Sequence, residues 1–162
     1  MKKSLIVSVF ILAGLFLAEA ANAQWQVYRG NGQFLTDQVL YKRDHRIFPG
    51  NSWSYADVLY TIVGNKITTG SSGSVFDLVY TCEDGKLYSG RGMYTSEIAY
   101  TFANGKIYKG NSTFSLDILY NIRDGVIYPG DHSFPLDAIY VITGKYTDVD
   151  IFAILLSLQL IT

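Results

Sequence analysis

The sequence predicts an all-β protein built from six tandem β-hairpin repeats of 20 residues. Three observations carry this. A glycine returns every 20 residues, at Gly30, Gly50, Gly70, Gly90, Gly110 and Gly130, and a fixed period of this size marks a repeat architecture. An acidic residue follows seven places later each time, at Asp37, Asp57, Asp77, Glu97, Asp117 and Asp137, and a tyrosine follows that, at Tyr41, Tyr60, Tyr80, Tyr100, Tyr120 and Tyr140. Asp84-Gly85, Asn104-Gly105 and Asp124-Gly125 stand between alternating apolar runs, the strongest short-range hairpin signal, because both turn residues need positive φ. The expected architecture is a meandering sheet that curls or stacks into a solenoid, with a short apolar C-terminal helix buried against it as a cap or plug. A closed barrel or propeller-like ring is the alternative.

Residues 1–23 read as a cleaved export signal. Lys2 and Lys3 precede the apolar run from Leu5 to Leu17, and Ala21-Asn22-Ala23 is a small-x-small cleavage site before Gln24. The run is shorter than the about 20 residues a membrane span needs. Removing Lys2, Lys3 and Glu19 leaves 11 basic and 13 acidic residues, a net charge of −2. With no basic stripe, nucleic acid is not an expected partner. The expected destination is the periplasm, the cell surface or the medium, with no stable membrane span after cleavage.

Residues 24–146 form the repeat domain. Trp25, Val27 and Tyr28 read as a half-repeat that supplies the first strand. The first copy looks irregular, with one extra residue before Tyr41 and one fewer after it. In the fifth copy, Phe114, Leu116, Ile118, Tyr120 and Ile122 alternate with Ser115, Asp117, Leu119 and Asn121, the period of a strand. With Asp84-Gly85 as a two-residue loop, Cys82 faces Leu87 and Thr81 faces Tyr88. One side then carries Leu78, Tyr80, Cys82 and Leu87 and must be buried. The other carries Asp77, Val79, Thr81, Lys86 and Tyr88. Gly64-Asn65 reads as a variant turn, Asp44-His45 and Thr143-Gly144 as degraded ones. Residues 147–162 break the period: Thr147-Asp148-Val149-Asp150 has the form of a capping box, and Ile151 to Ile161 is almost continuously apolar.

The acidic ladder looks catalytic but is expected to be structural. Equivalent residues two strands apart are separated by about 9.5 Å at about 4.8 Å per strand, too far for shared metal ligation. Asp at each strand entrance is expected to accept backbone N–H groups at a turn. His45 and His132 do not recur with the repeat, and no HExxH, CxxC pair, Walker loop or GxGxxG is present. We therefore expect no enzyme activity, catalytic residue, cofactor or metal. A small hydrolase using His132 or the carboxylates is the remote alternative. Cys82 cannot pair within the chain and is expected as a small buried side chain; a disulfide between chains or a reactive thiol is the other reading.

The functional lead is aromatic. Phe48, Tyr88, Tyr108 and Tyr128 recur on the mixed face, with Lys86 and Lys106 beside them. A row of exposed Tyr, Lys and Thr suits a protein or glycan partner, so the expected function is an exported, non-catalytic binding module. Cross-strand packing of the same tyrosines is the competing reading. A structural protein that self-associates through sheet edges is the alternative function.

The run Ile107-Tyr-Lys-Gly-Asn-Ser-Thr-Phe-Ser-Leu-Asp-Ile-Leu-Tyr120 resembles the units of a group of small, uncharacterised exported bacterial repeat proteins, over residues 28–162. That resemblance implies an exported repeat fold and no particular activity. Asp84-Gly-Lys-Leu-Tyr-Ser-Gly90 is more weakly similar to MORN repeats, which implies stacked hairpins.

Overall fold

The computed structural model of the protein describes residues 24–30, 32–50 and 52–162, so the export signal expected over residues 1–23 lies outside the described residues. Twelve antiparallel strands follow one another: β1 (Trp25–Arg29), β2 (Gln38–Arg43), β3 (Arg46–Pro49), β4 (Tyr60–Val63), β5 (Lys66–Thr69), β6 (Leu78–Glu83), β7 (Lys86–Ser89), β8 (Ile98–Ala103), β9 (Lys106–Lys109), β10 (Ile118–Arg123), β11 (Val126–Pro129) and β12 (Tyr140–Gly144). One helix, α1 (Asp148–Ser157), ends the chain. Each strand pairs with its sequence neighbours, and β1 also pairs with β12, so the sheet closes into a barrel.

Closure replaces the open solenoid with the ring that stood as the alternative. The reason lies at the two ends of the repeat domain, which are each half a hairpin. Trp25 pairs with Gly144 and Val27 with Ile142. The Gly30 N–H donates to the Ile139 carbonyl at 2.8 Å, as Gly90 N–H donates to Val79 at 2.7 Å within an unbroken hairpin. The half-repeat and the last strand thus form the sixth hairpin without a connecting turn. Thr143-Gly144 is no degraded turn but the pairing edge of β12. A side chain at Gly144 would meet the Gln24 carbonyl at 2.3 Å. Ring closure removes exposed strand edges, so edge-to-edge self-association has no edge to use among the described strands.

The expected hairpin register holds: Cys82 pairs with Leu87 and Thr81 with Tyr88. Asp84, Asn104 and Asp124 take φ of 48°, 51° and 51° in the turns, as the Asp-Gly and Asn-Gly signals require. Gly85 carries a second constraint: its carbonyl accepts the Phe102 N–H at 2.6 Å, and a Cβ there would lie 2.5 Å from the Phe102 carbonyl oxygen. The turn is stapled to the next hairpin.

The face assignment changes at the start of four of the six hairpins. Leu87 pairs with Tyr100 but Tyr88 with Ile98, and the same slip occurs between Ile67 and Thr68. A bulge breaks the alternation and bends the strand. Val79, expected outside, packs on the inner cluster, while Leu78, expected inside, pairs with the outer Thr68. Repeated around the ring, such bends supply the curvature that closure needs.

The helix fills the barrel as a plug instead of capping it. Ile151, Phe152, Ala153, Ile154 and Leu155 are fully buried and share one cluster with Val27, Ile47, Ile67, Leu87, Ile107 and Ile127 from six strands around the ring. Phe152 meets the edge of Phe102 from β8 at 6.5 Å, while Asp150 meets Trp25 from β1 and Lys42 from β2. A helix that is apolar all round is one that is buried all round. The expected capping box forms: Thr147 N–H donates to Asp150 Oδ2 at 3.0 Å, and Asp150 N–H to Thr147 Oγ1 at 3.4 Å.

One inward position breaks the apolar ring. Leu40 pairs with Pro49 as Tyr60 pairs with Thr69. The first copy therefore has no extra residue; Leu40 stands in the tyrosine place and Tyr41 in the place of Thr61. Counting from there, Lys42 occupies the slot of Ile62, Cys82, Phe102, Ile122 and Ile142. Its ammonium donates to Asp150 Oδ1 at 2.7 Å, and both side chains are buried. The Trp25 indole N–H donates to the same oxygen at 2.9 Å.

Two outcomes follow. Lys42→Ile restores a six-fold apolar ring, yet should destabilise the protein by about 3–5 kcal/mol in urea unfolding, because Asp150 is left as an uncompensated buried charge. Cys82 is buried, and burial, then Asp148 and Glu83, push its thiol up to about 12. Native protein should resist a thiol reagent at pH 8 and react only on unfolding. Since the folded thiol holds its proton above the ordinary value of 9.0, its stabilising effect is complete below that pH. It is lost as the pH rises toward 12, and unfolding free energies measured across that range for wild type and Cys82→Ala should converge.

Candidate functional site

The segments between hairpins are loops folded back on the outside of the barrel. Phe114 and Leu116 do not extend β10 as their alternation suggests; Ser115–Asp117 winds a 3-10 turn and the strand starts at Ile118. Local chemistry explains the difference. The Ser112 hydroxyl donates to Asp117 Oδ2 and accepts the Phe114 N–H at 3.1 Å, which bends the chain before the strand begins. Ser52–Asp57 and Ser72–Asp77 make the same clasp. In three loops a threonine hydroxyl on the sheet donates to the repeating glycine carbonyl: Thr61 to Gly70 at 2.6 Å, Thr81 to Gly90 at 2.9 Å and Thr101 to Gly110 at 2.8 Å.

In three of the six loops the acidic ladder is therefore a loop clasp, with the serine hydroxyl as its donor. The first loop has Gly32 in the serine place, and the fourth and sixth use other partners. In the fourth loop Gly92 replaces the serine and Glu97 replaces the aspartate. The longer carboxylate fills the vacated space, since a Cβ on Gly92 would lie 2.0 Å from Glu97 Oε2. It accepts the Tyr94 N–H at 3.2 Å. In the sixth loop His132 Nδ1 lies 3.1 Å from Asp137 Oδ2, where Ser112 stands against Asp117. His132, the histidine of the hydrolase alternative, thus sits at an ordinary clasp position. Among the described residues, no group of three or more His, Cys, Asp or Glu side chains could hold a metal ion.

These folded-back loops cover the aromatic row expected to be exposed. Phe48 is 1% exposed, Tyr108 and Tyr128 are also buried, and Tyr88, Lys86 and Lys106 are half-buried. Phe48 stacks on Tyr41 at 5.1 Å and receives the edge of Tyr55 from the second loop at 6.4 Å. Lys106 donates to Asp131 of the sixth loop at 2.5 Å, and that hydrogen bond holds its pKa above the ordinary ammonium value. The row is a second, outer packing layer, as the cross-strand reading had it, and the six residues do not form one open face.

What the loops expose instead is their tips. Each presents two large apolar side chains to solvent: Phe34 and Leu35, Trp53 and Tyr55, Val75 and Phe76, Met93 and Tyr94, Phe114 and Leu116, Phe134 and Leu136. Leu116 and Leu136 are 98% and 96% exposed. The signal was present in sequence as paired bulky residues between each repeating glycine and its carboxylate, but strand-like alternation masked it.

The barrel's loop-side mouth holds a collar of half-buried tyrosines, Tyr60, Tyr80, Tyr100, Tyr120 and Tyr140. It closes on the chain end, with Tyr100 donating to the Thr162 carbonyl at 3.1 Å and Tyr120 to the Leu160 carbonyl at 3.2 Å. Burial raises the pKa of Tyr80 and Tyr120, and their collar neighbours add to it.

Fold and loops together define a six-petalled ring: a helix-filled barrel of hairpins with one folded-back loop over each. A family model described as 6-fold beta flower protein matches residues 27–155. The chain belongs to that family. No curated protein and no solved structure matches it.

The fourth clasp offers a test of this account. Gly92→Ser alone and Glu97→Asp alone should each cost about 1 kcal/mol, the worth of a lost hydrogen bond. The double variant, which rebuilds the Ser–Asp pair of three other loops, should recover most of both losses in a double-mutant unfolding cycle.

Proposed function

We propose that the protein is an exported, non-catalytic docking module that holds a protein partner on its petal tips. The observation that carries this reading is the repeated exposure of two large apolar side chains on every loop. Scattered exposed apolar residues are ordinary, but a repeated set displayed on fixed loops marks an interaction surface. The tips keep one backbone and vary in chemistry, from Trp53 and Tyr55 to Met93 and Tyr94 to Phe134 and Leu136. The loops around them are rich in Ser and Gly and, apart from the repeating carboxylate, poor in charge, features shared by binding loops set on rigid β scaffolds. A membrane-spanning role fits poorly: strands of four to six residues are about half the 9–11 residues a spanning strand needs. Export rests on the signal-like residues 1–23.

A photo-crosslinker at Leu116, in cells that export the protein, should form a defined adduct with a protein. Combined Phe76→Ser, Leu116→Ser and Leu136→Ser should weaken that association about tenfold or more. The unfolding midpoint should hardly change, because these side chains lie in water. Adducts to lipid alone, or none beyond those from a crosslinker at Arg123, overturn the reading.

A further inference from the structure

The ring has one seam, and the seam contains a cleft. Between β12 and β1 no turn connects the strands: the described residues begin at Gln24, and past Gly144 the chain runs on toward the helix. At the corresponding end of the other hairpins a two-residue turn fills this space. Here it remains as a cleft of about 330 Å³. Trp25 and Lys42 line it, tied down by Asp150. Tyr41, Arg43 and Trp53 form one flank, Thr143 lies on the other, and Gln26 stands between them, paired with both Tyr41 and Thr143.

The flank is arranged for recognition. Trp53 is 69% exposed, yet its indole is held in place. The Arg43 guanidinium lies 5.2 Å from the ring centroid, and the Tyr41 ring 5.7 Å away, tilted by 46°. Tyr41 is fixed in turn by its hydroxyl, which donates to the Ser52 carbonyl. An indole pinned beside a guanidinium is a platform, not a loose side chain. No acidic side chain is among the described residues that line the cleft, and the Lys42 charge is already matched by Asp150. The Arg43 charge faces the cleft without a carboxylate of its own there.

We infer that this cleft binds an acidic sugar, a pyranose ring bearing a carboxylate. The apolar face of the ring stacks on Trp53, since aromatic side chains offer a flat apolar surface with a polar edge. The carboxylate pairs with Arg43, whose planar fork suits it. Gln26 and Thr143 provide amide and hydroxyl groups for the ring hydroxyls. The volume suits one or two sugar rings, at the lower end of ordinary ligand sites. The cleft shares Trp53 with one petal tip, but the tip test changes Phe76, Leu116 and Leu136, which lie outside the cleft, so either reading can fail alone.

The chain has two tryptophans, Trp25 and Trp53, and both line the cleft, so intrinsic fluorescence reports on it directly. Titration of the mature protein with trigalacturonate should give a saturable change in emission. Maltotriose, a neutral trisaccharide, should bind about tenfold more weakly, the worth of one charged hydrogen-bonded contact, and sodium acetate should give no change. Arg43→Met should remove the preference for the acidic sugar, and Trp53→Ala should abolish binding of both, read by calorimetry. Both variants should keep the wild-type unfolding midpoint. The inference is overturned by the absence of a response to trigalacturonate at millimolar concentration, by an equal response to acetate, or by an acid preference that survives Arg43→Met.

Discussion

Twelve strands enclose more space than their own inward side chains can fill, and this constraint governs the rest of the molecule. A barrel of about eight strands is filled by its side chains, and a wider one must hold something else. Here the filler is the chain's own last helix, and this explains why α1 carries no polar face. Ile151, Phe152, Ile154 and Leu155 point in different directions around the helix axis, yet all are fully buried, because strands surround it. The closed sheet and the helix depend on each other. Without α1 the inner ring of Ile47, Ile67, Leu87, Ile107 and Ile127 would face a void; without the ring, α1 would be an apolar helix in water.

A six-fold ring also poses a problem of choice, since similar hairpins offer similar seats to the helix. Asp150 resolves it. Both of its oxygens are occupied, one by Lys42 and Trp25 and the other by Thr147. Lys42 stands in a slot that other repeats fill with an apolar or thiol side chain, so one hairpin alone offers the matching cation. Burying such a pair adds little net stability against an apolar alternative, but it penalises every arrangement that separates the charges. The pair lies beside the seam where β1 meets β12, so the same contact that orients the helix also links the two ends of the ring.

The hairpins were legible because their determinants are local. An Asp-Gly turn and a two-residue loop set which residues pair, and the pairing of Cys82 with Leu87 followed directly. The helix start was legible for the same reason, through Thr147 and Asp150. Ring closure was not, because it depends on Trp25 meeting Gly144 across the whole chain, and no local signal distinguishes that from an open sheet. The assignment of Leu78 and Val79 failed because a bulge shifts the period within one strand. Lys42 escaped notice because Tyr41 looked like the repeating tyrosine. That shifted the first copy by one and hid the single charged residue in the inner ring. The aromatic row of Tyr108 and Tyr128 was placed on the correct face, but the loop that covers it depends on the Ser112–Asp117 clasp, whose letters read equally well as a strand entrance.

The clasps divide the loops into parts that are held and parts that are open to change. Ser and Asp positions hold the backbone, Thr hydroxyls on the barrel tie it down, and the tips point to solvent, although Trp53 and Tyr55 also pack on Tyr41 and Phe48. Gly92 and Glu97 make the division clear: in that loop both members of the clasp differ, yet the 3-10 turn is retained over Thr95–Glu97. What is conserved in form across the six loops is the geometry, and what varies is the chemistry presented. Such a scaffold can alter its outer surface one tip at a time without disturbing the helix-filled core, because the residues that close the ring and those that meet solvent occupy separate positions within each repeat.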